Sequence, residues 1–289
     1  MPTAAAPVDA FVLGGGGVLG AVEVGMLRAL LERGIRPDLV LGTSIGALNG
    51  AMVARDPTPA VIDRLVKLWE SATVDRQIYA DNALQRVRRA VTSRTHLYSS
   101  DGLRDRLREE FGHLNIEDLP VRFSVCAASI ERAAEHWFET GPLVEAVLAS
   151  AAVPGLLPPA EIGAEHYLDG GIVNSIPLGR AIQLGARRVF VLQVGRIDRP
   201  LSKPTNPFEV ARVSFEIARR HRFNRELAEA PDDVEIHVLP AAGTSAKDDS
   251  PWAYRDFTSV PDKIEATYAA CRGYLEERGV APAGQGQTQ

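Results

Sequence analysis

A serine between two glycines is the first feature of this chain that could do chemistry. The pentapeptide at 42–46 has the sequence Gly-Thr-Ser-Ile-Gly, and it directly follows the apolar run 39–41. Strand, sharp turn and helix are the context in which a G-x-S-x-G sequence forms a nucleophile elbow, which exposes the serine hydroxyl. Gly42 and Gly46 suit such an elbow, because a tight turn uses backbone conformations that a Cβ atom disfavours. The pattern predicts Ser44 as a nucleophile.

A glycine run near the start of the chain could hold the negative charge that an attacking serine creates. Glycines occupy positions 14–17, after a predicted strand at 10–13 and at the start of a helix predicted over 18–33. Backbone N–H groups at the positive end of a helix are suitable donors to an oxyanion. A simpler interpretation is a loop that lets helix and sheet pack closely. We predict an oxyanion hole from four residues: Gly15, Gly16, Gly17 and Gly20.

The same glycines also fit the phosphate-binding fingerprint of nicotinamide-dependent dehydrogenases. Gly15, Gly17 and Gly20 stand in the three glycine places of G-x-G-x-x-G, after a strand and before a helix. That fingerprint requires an acidic residue at the end of the second strand, where it binds the ribose. Here Asp38 precedes the second strand instead of following it. The sequence therefore favours the oxyanion hole, which requires no cofactor, over a nucleotide site.

A serine nucleophile needs a base, and the usual base is histidine. In the chain order Ser…Asp…His, two of the six histidines would serve, His221 and His237. His221 stands in the basic run 219–222, which is typical of a solvated helix face, and His237 lies inside a predicted strand at 234–239. A catalytic histidine is expected in a loop after a strand instead. A Ser-His-Asp esterase is therefore an alternative, and a less favoured one.

Asp169 is the better candidate for the base. It follows a strand that ends at 167–168, and Gly170 and Gly171 come directly after it, so turn geometry would hold the carboxylate at the end of the sheet. A carboxylate is a weak base at neutral pH unless its surroundings help. Direct contact with Ser44 in a dry site would be sufficient. An ordinary Asp-Gly turn is the simpler interpretation of the same residues.

Four segments resemble the motifs of the bacterial patatin-like phospholipases, a family of serine lipid acyl hydrolases with a Ser–Asp dyad. They are the glycine segment 15–20, the elbow 42–46, the loop Ala-Ser-Ala-Ala-Val-Pro-Gly at 149–155 and the Asp-Gly-Gly segment 169–171. The likeness covers residues 8 to 195. Each motif alone has modest specificity, but four of them in the order of the family are highly specific.

The resemblance implies a mechanism, a fold and a class of substrate. Ser44 would attack an acyl ester with Asp169 as base, without a metal or cofactor. The fold would be a three-layer α/β sandwich, with a mostly parallel central sheet flanked by helices. The substrate would be a lipid or another acyl ester: a phospholipid, a lysophospholipid, a glyceride or a thioester. Glycines would support the turns at both residues of the dyad: Gly42, Gly46, Gly170 and Gly171.

One position departs from the family pattern. The family usually has Arg or Lys just before the last glycine of the oxyanion segment, whereas this chain has Leu19. The missing cation predicts weaker contact with an anionic head group. It also keeps open a non-enzymatic alternative, a catalytically weak lipid-binding or regulatory relative. The backbone donors of the segment do not depend on that side chain.

The order of predicted elements favours one α/β domain. Strand and helix alternate at the start of the chain, which is typical of a parallel sheet with right-handed crossovers. We expect a single domain over 8–280, in which the polar, Arg-rich stretch 72–118 forms a helical cap or insertion. Strands at 121–130 and 135–140 are expected to pair. The tail 282–289 is low in apolar residues and is expected to be disordered.

The composition limits the classes of function and the location. The 289 residues carry a formal net charge of -5, so the chain lacks the basic footprint of a nucleic-acid-binding protein. Cys126 is expected in the core, and Cys126 and Cys271 lack metal-ligand or disulfide spacing, which fits a reducing, cytoplasmic setting. No apolar run is long enough for a transmembrane helix, so membrane contact is expected to be peripheral and transient.

Overall fold

The computed structural model describes residues 8–75, 96, 98–194, 200–242 and 260–283, and its centre is a mixed β-sheet. The strands are β1 (Val8–Leu13), β2 (Leu39–Thr43), β3 (Arg122–Ser129), β4 (Ala134–Phe138), β5 (Ala160–Ile162), β6 (Glu165–Asp169), β7 (Ala186–Leu192) and β8 (Glu235–Val238). Their order across the sheet is β5-β6-β3-β2-β1-β7-β8, and β4 pairs with β3 beside that path. All pairs from β3 through β2, β1 and β7 to β8 are parallel, whereas β4, β5 and β6 pair antiparallel.

Helices cover both faces of this sheet. In chain order they are α1 (Ala21–Glu32), α2 (Ile45–Arg55), α3 (Ala60–Asp75), α4 (Asp101–Phe111), α5 (Leu143–Ser150), α6 (Gly171–Asn174), α7 (Leu178–Gln183), α8 (Pro207–Ala228) and α9 (Val260–Glu277). One buried cluster joins the sheet to α1 through α5 and to α9, and a second joins the opposite face to α7 and α8. The predicted three-layer α/β sandwich is confirmed.

The side chains of β1 show why both faces are covered. Phe11 and Leu13 belong to the cluster with α1, whereas Ala10 and Val12 belong to the cluster with α7 and α8. All four are fully buried. Successive strand residues point to opposite faces, so a strand that is apolar at every position needs cover on both sides. β1 is accordingly a central strand, between β2 and β7.

β3 brings two distant parts of the chain to the same level of the sheet. It runs parallel to β2 with Cys126 opposite Thr43, and antiparallel to β6 with Ala127 opposite Asp169. Thr43 is the residue before Ser44. The turn after β2 and the last residue of β6 therefore meet near the middle of the sheet.

The described elements differ from the sequence predictions where segments are short. The first helix begins at Ala21, because residues 17–20 form a separate 3-10 turn. The sequence does not predict β5 and α6, since three or four residues are too few to show a period. The antiparallel pairing of β3 with β4 confirms the predicted pair. Much of the expected cap, 76–95, and the tail from 284 onward lie outside the described residues.

The last helix packs against the first. α1 and α9 approach each other at Gly25, where an added Cβ atom would lie 2.4 Å from the Ile264 carbonyl oxygen. Beside this contact, the Arg28 guanidinium donates to the Glu265 carboxylate at 2.6 Å. The contact joins the two ends of the described chain, as a single domain over 8–280 would require. That domain boundary stays a prediction.

Gly25→Ala is expected to destabilise the fold, because the new methyl group would overlap backbone atoms of α9. Overpacking of this kind costs about 1–3 kcal/mol of the free energy of unfolding. Gly273→Ala is the matched control in α9: apart from its own helix, no atom of the described residues lies within 4 Å of its Cβ position. That alanine is expected to stabilise the helix by about 0.5–1 kcal/mol. Urea denaturation measures both, and a Gly25→Ala protein as stable as wild type would contradict the close contact.

Candidate active site

Ser44 occupies the sharp turn between β2 and α2. Its backbone has φ 56° and ψ -122°, a conformation that L residues rarely adopt. A Cβ atom at Gly42 would lie 2.5 Å from the Gly46 carbonyl oxygen, and one at Gly46 would lie 2.4 Å from the Leu13 carbonyl oxygen. Both positions therefore require glycine. Strain at a serine of this kind costs on the order of 1–3 kcal/mol and is concentrated at functional sites.

The Ser44 hydroxyl donates a hydrogen bond to the Asp169 carboxylate. The distance from Oγ to Oδ2 is 2.6 Å, which is typical of a charge-assisted O–H···O bond. The other carboxylate oxygen, Oδ1, accepts from the Gly171 backbone N–H at 2.7 Å. Ser44 is 7% exposed and Asp169 is 6% exposed, so little water reaches the pair. The two residues that the sequence identifies as nucleophile and base are in direct contact.

Burial changes the acid strength of Asp169. Loss of hydration disfavours the charged form and raises the pKa of this carboxyl group to about 6. The hydrogen bonds from Ser44 and Gly171 lower the pKa, because they stabilise the carboxylate, but they offset only part of the effect of burial. The group is therefore ionised at neutral pH, yet it is a stronger base than an ordinary aspartate.

Ser150, at the end of α5, fixes the backbone of the elbow. Its Oγ accepts from the Ser44 N–H at 2.8 Å and donates to the Cys126 carbonyl oxygen at 2.6 Å. On the other side, the Thr43 hydroxyl donates to the Asn174 carbonyl oxygen at 2.9 Å. Sequence reasoning gave these supporting residues no role. The one available signal was the position of Ser150 in the family-like loop that begins at 149.

The glycine loop lies beside the Ser44 side chain. A Cβ atom added at Gly15 would lie 3.4 Å from Ser44 Cβ. The Gly15 N–H donates to the Ser175 carbonyl oxygen at 3.0 Å, so this predicted oxyanion donor is already engaged. The N–H groups of Gly16 and Gly17 have no acceptor within the described part of the chain. These two donors are free for an oxyanion.

Gly20 brings the loop close to the elbow helix. A Cβ atom there would lie 2.5 Å from Ile45 Cγ1, so any other residue would push the loop away from α2. The Gly20 carbonyl oxygen accepts a hydrogen bond from Asn49 Nδ2 at 3.0 Å. The neighbouring Leu19 is partly buried and packs against the main core. Its apolar side chain supplies no charge to the site.

The two histidines considered from the sequence lie away from the pair. His237 is on β8, three strands from β2, and it forms a 2.8 Å hydrogen bond with Glu235. Burial is the main cause that lowers its pKa. His221 is exposed on the outer side of α8. The Ser44 hydroxyl is bonded to Asp169 instead, which disfavours the histidine-dependent alternative.

The acidic residue that a nucleotide site would need lies at the end of the strands opposite to the glycine loop. Asp38 precedes β2, and its carboxylate accepts from the Asp9 N–H at 2.9 Å. Asp9 is near the beginning of β1, whereas the glycine loop follows the end of that strand. An extended strand of this length separates the two by about 15 Å. A ribose held at the glycine loop would be out of reach of Asp38.

Three further predictions concern groups outside the pair. Cys126 is buried in the core as predicted, and Cys126 and Cys271 are free thiols whose pKa is raised by burial. Within the described ranges, no three His, Cys, Asp or Glu side chains come together as metal ligands would. No helix in the same ranges combines the length and the apolar character needed to cross a bilayer.

Known proteins share this arrangement of motifs. The model of the patatin-like phospholipase family matches residues 11–182, more than half of the chain. The chain is 33% identical over 193 residues to a patatin-like phospholipase domain-containing protein of Caenorhabditis elegans. It is 32% identical over 188 residues to the lysophospholipase nte1 of Aspergillus terreus, and 30% identical over 189 residues to the neuropathy target esterase sws of Drosophila melanogaster. Each match covers 65% of this chain but only 12–14% of the relative.

Among solved structures, VipD from Legionella pneumophila aligns with a TM-score of 0.44 and 15% identity, over 95% of this chain and 68% of that chain. The matched family segment includes the glycine loop, the elbow and the Asp-Gly-Gly segment. The bacterial origin suggested by the sequence stays a prediction. The chain belongs to the patatin-like phospholipase family.

Proposed function

We propose that this chain is a serine lipid acyl hydrolase that cleaves carboxylic esters through an acyl-Ser44 intermediate. The observation that carries the proposal is the 2.6 Å hydrogen bond from Ser44 Oγ to the buried Asp169 carboxylate. Membership of the patatin-like phospholipase family supports it, as do relatives named lysophospholipase and neuropathy target esterase. Because the chain matches only a small part of those relatives, the proposed activity depends on the site itself.

Asp169 is the general base of the proposed reaction. As Ser44 Oγ attacks the ester carbonyl carbon, its proton passes along the hydrogen bond to Asp169 Oδ2. Protonated Asp169 then gives this proton to the leaving alcohol as the carbon–oxygen bond breaks. A water molecule next attacks the acyl-Ser44 carbonyl and transfers a proton to Asp169. Collapse of the second intermediate returns that proton to Ser44 and releases the carboxylic acid.

The negative oxygen formed at each attack needs donors that are already in place. Gly15 lies beside Ser44, and the next two residues of the loop, Gly16 and Gly17, have N–H groups without an acceptor within the described chain. α1 begins at Ala21, directly after this loop, so the positive end of its dipole faces the same region. We assign the oxyanion hole to these two N–H groups.

The proposed substrate is an acyl ester with an apolar chain. Phe215 and Ile172 are 43% and 41% exposed. The Phe215 ring also reaches within 3.1 Å of the Cβ position of Gly171, the residue that binds Asp169. These side chains offer apolar contact next to the reacting ester. Leu19 offers no cation to an anionic head group, so we expect selection by the acyl chain. A lipid-binding relative without turnover is the alternative, and it predicts no hydrolysis.

Hydrolysis of p-nitrophenyl butyrate is expected to depend on Ser44 and on the ionisation of Asp169. The value of kcat/KM should rise about tenfold per pH unit below the Asp169 pKa of about 6 and level off above it. Only the carboxylate form, which predominates above that pKa, can accept the Ser44 proton. Ser44→Ala and Asp169→Asn should each lower kcat by about 10³-fold or more.

Ser129→Ala is the matched control for these variants, because Ser129 is a buried serine of β3 whose hydroxyl accepts from the Arg132 N–H and is not hydrogen-bonded to Ser44 or Asp169. It should hydrolyse the ester at the wild-type rate. Undiminished hydrolysis by Ser44→Ala would refute the proposal. A loss of hydrolysis in His237→Ala, with Asp169→Asn active, would favour the histidine-dependent esterase instead.

We also propose that the protein is cytoplasmic and contacts a lipid surface peripherally through α8. The Phe215 ring on this helix lies next to Gly171, so the contact would place the bilayer beside Ser44. An exposed helix face without charge is typical of a protein or membrane contact. Among the side chains of α8 that the structure describes, five exposed positions without charge lie together between 210 and 218: Val210, Ser214, Phe215, Ile217 and Ala218.

Replacing Phe215 and Ile217 together by serine should weaken binding to phosphatidylcholine vesicles by about tenfold or more, because burial of each large apolar side chain contributes about 1.5–3 kcal/mol. Co-sedimentation with the vesicles measures the binding. Ile130→Ser is the matched control, since Ile130 is an equally exposed apolar residue, 46%, just after β3. Equal binding by the double variant and the control would exclude α8 as the contact.

A further inference from the structure

A buried carboxyl group next to the glycine loop has no role in the proposed reaction. Glu23 lies in the first turn of α1 and is fully buried. Its Oε2 accepts from Asn49 Nδ2 at 2.8 Å, whereas Oε1 has no hydrogen-bond partner within the described residues. Burying a polar atom without a partner costs free energy, and an apolar side chain would avoid that cost. The position therefore carries a carboxyl group for a reason other than packing.

Glu23 is a weaker acid here than an ordinary glutamate. Burial raises the pKa of its carboxyl group well above the usual range, and the hydrogen bond from Asn49 and the nearby Gly14 backbone N–H offset only part of that effect. Protonation, which burial favours, would remove the negative charge next to the donors that an oxyanion must use.

Asn49 connects this carboxyl group to the loop and to a third helix. Its Nδ2 donates both to Glu23 and, at 3.0 Å, to the Gly20 carbonyl oxygen. Its Oδ1 accepts from the Trp69 indole N–H at 3.3 Å. Both amide hydrogens and the amide oxygen are thereby engaged, which fixes the orientation of the side chain. Asn49 belongs to α2, the helix that begins directly after the nucleophile.

Loss of the Glu23 acceptor would free the Asn49 side chain from its fixed orientation. One amide hydrogen of Asn49 would lack a partner in a dry site, so the side chain would rotate or admit water. The bond from Asn49 to Gly20 sets the spacing between the glycine loop and α2. Gly20 ends the 3-10 turn that begins at Gly17, so a shift at one end moves the donors at the other.

We propose that Glu23 is a positioning residue, which acts through Asn49 to hold the Gly16 and Gly17 donors in place relative to the Ser44 hydroxyl. This inference rests on the hydrolase function proposed above and deepens it. Glu23 touches neither the substrate nor the reacting atoms. Its effect should therefore appear in kcat, because the donors act on the oxyanion, and not in KM.

The test compares Glu23→Gln with Glu23→Met. Gln keeps the size and an oxygen that can accept from Asn49, whereas Met keeps the volume and has no such oxygen. A misplacement near 1 Å costs about 100-fold in rate, so Glu23→Met should lower kcat for p-nitrophenyl butyrate by about 10- to 100-fold with KM unchanged. Glu23→Gln should restore most of the rate. Asn49→Leu breaks the same connection from its other side and should resemble Glu23→Met.

Met26→Ala is the control for lost stability. Met26 is fully buried on α1, one turn after Glu23, so the variant should melt at a lower temperature with an unchanged kcat. Hydrogen exchange of the amides at 15–21 is a second readout that needs no turnover. Exchange should be faster in Glu23→Met and in Asn49→Leu than in wild type, and unchanged in Glu23→Gln and Met26→Ala.

Two results would overturn the positioning role. One is a kcat for Glu23→Met and Asn49→Leu equal to that of Met26→Ala, with unchanged exchange at 15–21. The other is a Glu23→Gln protein as slow as Glu23→Met. Absence of Ser44-dependent hydrolysis in the wild type would instead overturn the proposed function, and the exchange comparison would still decide whether Glu23 orders the glycine loop.

Discussion

The register of β3 is the constraint on which the candidate site depends. This strand pairs with β2 on one side and with β6 on the other, so that Cys126 lies opposite Thr43 and Ala127 lies opposite Asp169. A slip of one residue would turn the Asp169 side chain to the other face of the sheet, because strand side chains alternate. Ser150 stabilises the same alignment of β2 with β3, since its hydroxyl accepts from the Ser44 N–H and donates to the Cys126 carbonyl oxygen. The 2.6 Å hydrogen bond from Ser44 to Asp169 depends on this register.

Burial gives the pair its chemistry. Desolvation raises the pKa of Asp169 to about 6, which is close to the value of about 6.5 for an ordinary histidine. A carboxylate in this setting can therefore take the proton of Ser44 without an imidazole. The same dry surroundings strengthen each hydrogen bond to a developing oxyanion. They also make a second negative charge costly, and the raised pKa of Glu23 has the same cause.

Local spacing in the sequence was sufficient to predict the elbow at Ser44, the glycine loop and the turn at Asp169, and the family resemblance of these motifs implied the three-layer fold. Parts that depend on contacts between distant elements were not predictable. Ser150 and Asn49 lie in helices, where a single polar residue does not disturb the hydrophobic periodicity and so gives no signal of its own. The engagement of the Gly15 N–H by Ser175 depends on how the loop meets the chain after β6. The sequence pattern predicted four oxyanion residues, whereas the Gly15 N–H is engaged and those of Gly16 and Gly17 lack an acceptor among the described residues.

The most direct test of the dyad is to label the protein with a fluorophosphonate probe and to locate the modified residue by mass spectrometry. The probe forms a bond only with an activated nucleophile, so it reports on Ser44 and Asp169 together. We predict one modified residue, Ser44, no labelling of Ser44→Ala and strongly slowed labelling of Asp169→Asn. Modification at a different residue, or labelling of Asp169→Asn at the wild-type rate, would contradict a Ser44–Asp169 dyad.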